Sequence, residues 1–167
     1  APVQKGEVRF RHKNGSWRTF EIEGSNLVHD NVIEAAIINM HDITIRKKTE
    51  ETLRQSEEKY RTILENMQEG YFEVDLAGNF TFVNDSTCRE LGYSKEELIG
   101  MNNRQYTDEE NAKKLFQAFN TVYKTGETLK ELQWQIIKKD GTKRDGEGSI
   151  SLKRDSFGNP IGFSGVA

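Results

Sequence analysis

Apolar and polar positions alternate most clearly over residues 70–93, GYFEVDLAGNFTFVNDSTCRELGY. Phe72 and Val74 alternate with Tyr71, Glu73 and Asp75, the period of a half-buried strand. Ala77-Gly78-Asn79 supplies a turn, because Gly and Asn tolerate positive φ. Phe80 and Phe82 then resume the alternation up to Val83 and Asn84. Asn84, Asp85 and Ser86 can each accept backbone N–H bonds, so a short helix is expected to open there and to stop at Gly92.

Beyond residue 93 the period lengthens. Ser94 and Glu97 form a capping box for a single turn ended by Gly100, and Thr107 to Glu110 reads as a second box. The helix that follows, to Thr125, puts Leu115, Ala118, Phe119 and Val122 on one face and Phe116 and Tyr123 on a neighbouring stripe, and Gly126 stops it. Strand-like segments at 129–138, 142–153 and 160–167 close the chain, with turns at Asp140-Gly141 and Ser156–Pro160. Two strands, then helices, then three strands is an α+β order.

Upstream, Glu7–His12 and Trp17–Glu23 alternate around the turn Lys13-Asn14-Gly15-Ser16. A polar break from Gly24 to Asn31 precedes an apolar strand, Val32–Met40. Three antiparallel strands without a helix leave one face with nothing to pack on, so Phe10, Phe20, Ile22 and Ile37 are expected to seek a partner surface. The turn recurs as Lys139-Asp140-Gly141-Thr142, with Phe10 matching Ile136, Arg18 matching Arg144, Glu21 matching Glu147 and Ser25 matching Ser151. With one residue inserted, Val32–Met40 matches Asn159–Ala167. A repeat this far apart means tandem domains, since solenoid units span only about 20–50 residues.

Residues 45–68 hold no Gly or Pro and many strong helix formers. Leu53, Tyr60 and Met67 stand seven apart, with Ser56 and Ile63 between them, a leaky heptad that either packs on its own domain or forms a dimer seam. Glu50–Arg54 and Glu57–Arg61 offer i,i+4 pairs. Before it, Asp42 or Thr44 can cap the helix start, and Asp42 can pair with Arg46.

The ordered set Asp75, Gly78, Val83-Asn84 and Leu91-Gly92-Tyr93-Ser94 resembles the first third of a PAS sensor domain, and the later elements follow the same order. The resemblance covers residues 60–167 fully and 7–44 partially. It implies a five-stranded antiparallel sheet with helices on one face, preceded by a linker helix and a three-stranded fragment of a preceding PAS domain. The expected divisions are 1–44, 45–68 and 69–167. Asp42-Ile43-Thr44 followed by basic residues resembles the signature that ends PAS domains, which implies a signal-relay role for Asp42, Thr44 and Arg46.

Composition narrows the function. The 167 residues are 34% hydrophobic and 31% charged, and carry a net charge of −3 with both signs interspersed, which argues against nucleic acid. No apolar run approaches the ~20 residues that span a bilayer, and no basic-then-apolar leader opens the chain. A cytoplasmic location without membrane contact is expected for this chain, and the start at Ala1 is what a piece of a longer parent would show, one that could carry a membrane anchor elsewhere.

No phosphate-cradling loop, GxSxG or HExxH is present, so no enzymatic activity and no catalytic residue is expected here. His12, His29 and His41 suit no metal site by spacing, and His41-Asp42 falls at a strand end rather than on a phosphoacceptor helix. Cysteinyl-flavin chemistry resembles a different neighbourhood, Asn-Cys-Arg-Phe on a later helix; Cys88 in Ser86–Arg89 reads as a small core residue. Residues 108–125 contain no histidine, which argues against histidine-ligated haem.

In the PAS fold a pocket lies between sheet and helices. Alternation and helical phase place Phe72, Phe82, Leu91, Tyr106, Phe119, Trp134, Ile136 and Phe163 around it, with Tyr106 and Asn103 as the groups that would orient a small-molecule ligand. The identity of any cofactor is open. The resemblance implies a sensory and homodimerising module of a multidomain signalling protein, a histidine kinase first, with a diguanylate cyclase, a chemoreceptor or a ligand-free scaffold as alternatives.

Overall fold

The computed structural model describes residues 4–29 and 32–167, with side chains at 4–24 and 37–167. It divides into two compact units, Ala1–Tyr60 and Arg61–Ala167.

The first unit is a three-stranded antiparallel sheet of β1 (Gln4–Arg11), β2 (Trp17–His29) and β3 (Val32–Asp42), in that order. The expected break after Gly24 is shorter than its polarity suggests: β2 runs on to His29, and Asp30 and Asn31 lie outside the described residues. Pairings Val8↔Phe20 and Ile22↔Met40 put Val8, Phe10, Phe20, Ile22, Ile38 and Met40 on one face. Phe10 and Phe20 meet edge to face, ring centroids 5.8 Å apart. Ile37 belongs to the opposite, charged face, because its partner Ser25 lies one residue out of phase with Phe20 and Ile22.

That charged face carries the ion pairs Lys5–Glu23, Lys47–Glu7 at 2.7 Å and Arg46–Glu21 at 3.8 Å. Helix α1, Thr44–Asn66, starts where Thr44 Oγ1 accepts the Thr19 N–H at 2.9 Å. Asp42 accepts the Thr44 N–H at 3.0 Å and pairs with Arg18 at 3.1 Å rather than with Arg46. A cross-strand guanidinium reaches Asp42, and Arg46 turns to Glu21 and Glu50. Arg54 likewise bridges Glu51 and Glu58 instead of Glu50.

The second unit is built from β4 (Tyr71–Val74), β5 (Phe80–Val83), α2 (Asp85–Leu91), α3 (Lys95–Leu98), a 3-10 turn (Asn103–Gln105), α4 (Glu109–Thr125), β6 (Leu129–Ile137), β7 (Lys143–Arg154) and β8 (Pro160–Val166). The strands form one antiparallel sheet in the order β5-β4-β8-β7-β6. Helix ends follow their capping chemistry. Asn84 accepts the Thr87 N–H, Ser94 and Glu97 form a reciprocal box, and Gly92 and Gly126 close α2 and α4 in the left-handed region. The cap of α4 is Asp108, not Thr107, whose hydroxyl donates to the Asn103 carbonyl at 2.8 Å.

The same hairpin is built once in each unit. His12 donates to the Ser16 carbonyl and Gly15 to the His12 carbonyl, and Lys138, Thr142 and Gly141 repeat the pattern. The Asn14 side chain accepts Ser16 N–H and Oγ, as Asp140 accepts both from Thr142. Phe10↔Arg18 and Ile136↔Arg144 stand in the same register.

Candidate functional site

A cavity of about 250 Å³ opens inside the second unit, between the inner face of the sheet and helices α2 and α4. Its position follows from strand phase. Trp134 and Ile136 point inward from β6, and Gly146 and Ile150 from β7, while Gln133 and Gln135 point outward to Glu147 and Asp145. Leu91 comes from α2, and Leu115 and Phe119 from α4.

Glycines keep the wall thin. A Cβ at Gly165 would sit 2.4 Å from the Phe72 ring, so this position lets Phe72 lie against β8. A Cβ at Gly146 would meet the Trp134 indole at 3.5 Å, an ordinary contact. The aromatic walls are ordered by their own packing: Phe80 stacks on Tyr106 at 5.1 Å and meets Phe72 edge to face at 5.9 Å.

Of the residues expected around a pocket, Phe72, Leu91, Tyr106, Phe119, Trp134 and Ile136 line this cavity. Phe82 does not. A bulge pairs Val74 with Phe80 but Glu73 with Phe82, so Thr81 is the extra residue and Phe82 turns to the outer face. There it meets the Tyr71 ring at 5.9 Å and the Lys95 ammonium at 4.9 Å. Phe80 takes the inward place. Phe163 is buried against Phe119, centroids 4.7 Å apart, behind the cavity wall. Asn103 is buried and lines a second pocket, with Phe119 and Phe163. Thr87, Glu90, Arg144 and Ile150 also line the cavity and escaped the sequence reading, three of them because polar side chains carry no inward signal.

The scaffold below the cavity hangs on Asn84. Its side chain accepts the N–H groups of Tyr71 (2.9 Å) and Thr87 (3.0 Å) and donates to the carbonyls of Leu64 and Glu69, both at 3.0 Å. Ser86 binds the Gln68 carbonyl beside it. These bonds turn the chain out of α1 at Asn66, so Met67, the third position of the expected heptad, lies past the helix end. Leu53 and Tyr60 stand exposed on the helix itself.

Burial, with Asp85 beside it, raises the Cys88 thiol above its ordinary value and keeps it protonated. Burial alone pushes the Tyr106 phenol up. Among the described residues no group of His, Cys, Asp and Glu is placed to hold a metal ion; the His29 side chain lies outside them. No helix among the described residues is long and apolar enough to cross a membrane.

The family model described as PAS fold matches residues 58–167. Solved structures share the architecture. The PAS domain of a protein from Colwellia psychrerythraea is 16% identical, with a TM-score of 0.60 over 65% of this chain and 92% of that one. The PAS domain of an HTR-like protein from Haloarcula marismortui is 20% identical, with a TM-score of 0.59 over 72% and 96%. A domain of a sensory box sensor histidine kinase/response regulator from Geobacter sulfurreducens is 21% identical, with a TM-score of 0.57 over 69% and 95%. At these identities the likeness is one of fold. No curated protein matches the chain.

Proposed function

The chain belongs to the PAS fold family, and from that premise we propose that it is the sensory and dimerising module of a multidomain signalling protein, a histidine kinase first. The observation that carries the reading is the aromatic-walled cavity inside the second unit, whose floor is pinned through Asn84 to the last turn of α1. A molecule in the cavity touches Leu91 and Thr87 on α2, and α2 is capped by the same Asn84 that holds the Leu64 carbonyl. Occupancy thereby biases how α1 leaves the domain. The shift is limited to the ligand's differential affinity for the two helix arrangements.

The helix is also the proposed dimer seam. Leu53 and Tyr60, seven residues apart, are exposed on a helix without a buried residue, and pairing two copies would cover both. At the other end, Asp42, Thr44 and Arg46 fix the start of α1 and act in this reading as relay residues. The output enzyme lies in other parts of the parent protein, and the module itself performs no chemistry.

Hydrogen exchange of residues 44–66, read by mass spectrometry with and without a small molecule that occupies the cavity, tests the relay. Changed protection in α1 supports it; changes confined to α2, α4 and the sheet favour a ligand-binding domain without relay. Light scattering on the protein and on Leu53→Glu tests the seam, which requires a dimer that the substitution dissociates.

A further inference from the structure

The cavity's lining also states what chemistry it accepts, an inference that rests on the ligand-site reading above. Its walls are the rings of Phe72, Phe80, Phe119 and Trp134, closed by Ile136 and Ile150. Tyr106 is the exception among these apolar surfaces. It is 7% exposed, and its hydroxyl has no hydrogen-bond partner among the described residues. No side-chain nitrogen or oxygen sealed from all solvent lacks a partner among those residues, so the hydroxyl faces open space. The cavity is the open space that Tyr106 lines. A ligand that fills this space and offers the hydroxyl no partner leaves it unsatisfied, so a ligand that supplies one is favoured over an isostere that does not.

Charge decides the next property. Asp145 accepts from Gln135 Nε2 at 3.0 Å and Glu147 from Gln133 Nε2 at 3.3 Å, pairs on the sheet face opposite Trp134 and Ile136. Both residues border the cavity, but by strand alternation their carboxylates, held by Gln135 and Gln133, belong to the other face of the sheet. Of the four charged residues at the lining, Glu90 and Arg144 are the two without a cross-strand glutamine partner, one of each sign, which favours an uncharged occupant. Size sets the last property. A cavity of about 150 Å³ holds benzene and drug-sized molecules need about 300–1,000 Å³, so the observed 250 Å³ lies between them.

We infer that the cavity takes an uncharged, planar aromatic or heteroaromatic molecule of about ten non-hydrogen atoms, bearing one polar atom that hydrogen-bonds to the Tyr106 hydroxyl. Its ring lies among Phe72, Phe80 and Trp134, and its polar atom points towards Tyr106.

Three probes on one bicyclic frame test this: 2-naphthol, 2-methylnaphthalene and 2-naphthoate, titrated into the whole protein and followed by tryptophan fluorescence and calorimetry. The wild type is expected to bind 2-naphthol one to one, and to bind 2-methylnaphthalene and 2-naphthoate more weakly. Tyr106→Phe is expected to weaken 2-naphthol about fivefold, as the loss of one hydrogen bond implies, and to leave 2-methylnaphthalene unchanged. Equal loss for both neutral probes, or no loss, overturns the role of Tyr106. If the variant does not fold, the preference of the wild type for 2-naphthol over 2-methylnaphthalene decides the same point. Tightest binding of 2-naphthoate overturns the neutral class while leaving the ligand site standing. Failure of all three to bind the wild type contradicts the ligand-site reading itself.

Discussion

Phe10 and Ile136 occupy the same place in two copies of one hairpin, each facing an arginine across the ladder, yet Phe10 is 48% exposed and Ile136 only 8%. Local sequence builds the hairpin in both places. What differs is the cover: β6 carries α4, tied to it by the Asn111 side chain accepting the Gln135 N–H at 2.8 Å, whereas on the apolar face of β1–β3 the described residues Phe10, Ile38 and Met40 stand exposed. Ile136→Ala is therefore expected to destabilise the second unit by about 2–5 kcal/mol. Phe10→Ala should cost the first unit about 1 kcal/mol or less. Urea unfolding followed through Trp134 in a Trp17→Phe background, and through Trp17 in a Trp134→Phe background, reads the two separately.

Asn84 holds four backbone groups with one buried amide. Asn84→Ala strands them and should cost about 3 kcal/mol, the sum of a lost cap and unsatisfied buried groups. Asn84→Asp keeps the acceptor for Tyr71 and Thr87 and loses the donor to Leu64 and Glu69. If the amide pins α1, the Asp variant must show raised hydrogen exchange at the end of α1 while α2 remains capped.

Gly165 gives Phe72 its place on the sheet. Gly165→Ala puts a methyl 2.4 Å from that ring and 2.9 Å from the Ser149 carbonyl. The ring must then move into the cavity, at a cost of about 1–3 kcal/mol for overpacking. Thermal unfolding should show the loss, and affinity for any aromatic probe should fall with it.

Acid should weaken the cap of α4. The N–H and side chain of Asn111, with Lys143 alongside, lower the Asp108 carboxyl from its ordinary 3.8 to about 2. A carboxyl depressed by folding contributes stability that is complete above its unfolded value and is lost as pH falls through the folded one. Stability should therefore drop between about pH 4 and pH 2, partly through this group. Asp108→Asn, which can still cap but cannot titrate there, is expected to flatten that limb in denaturation curves taken at several pH values.

The sequence carried the turns and caps well, because Asp, Asn and Gly act on backbone atoms a few residues away. Asn14-Gly15, Asp140-Gly141, Ser94 and Gly126 all do what their local chemistry requires. Inward positions followed alternation until a bulge interrupted it. Phe80 and Phe82 look equivalent by period, and only the pairing of β4 with β5 shows that Thr81 is inserted and Phe82 faces out. Partners distant in the chain were the other blind spot. Arg18 lies on β2 and yet claims Asp42, leaving Arg46 to Glu21, a choice fixed by strand register that no helical spacing reveals. Glu90 and Arg144 reach the cavity from α2 and β7 for the same reason: tertiary placement, not pattern, brings them there.

The most direct measurement is native mass spectrometry of the whole protein with a panel of neutral bicyclic arenes, alongside Gly146→Leu. Gly146 lines the cavity and a Cβ there would meet the Trp134 indole at 3.5 Å, an ordinary contact, so a leucine at this position is chosen to occupy the space. The account requires one-to-one adducts with the wild type that denaturation releases and that Gly146→Leu abolishes. No adduct with the wild type, or the same adducts with the filled variant, would contradict it.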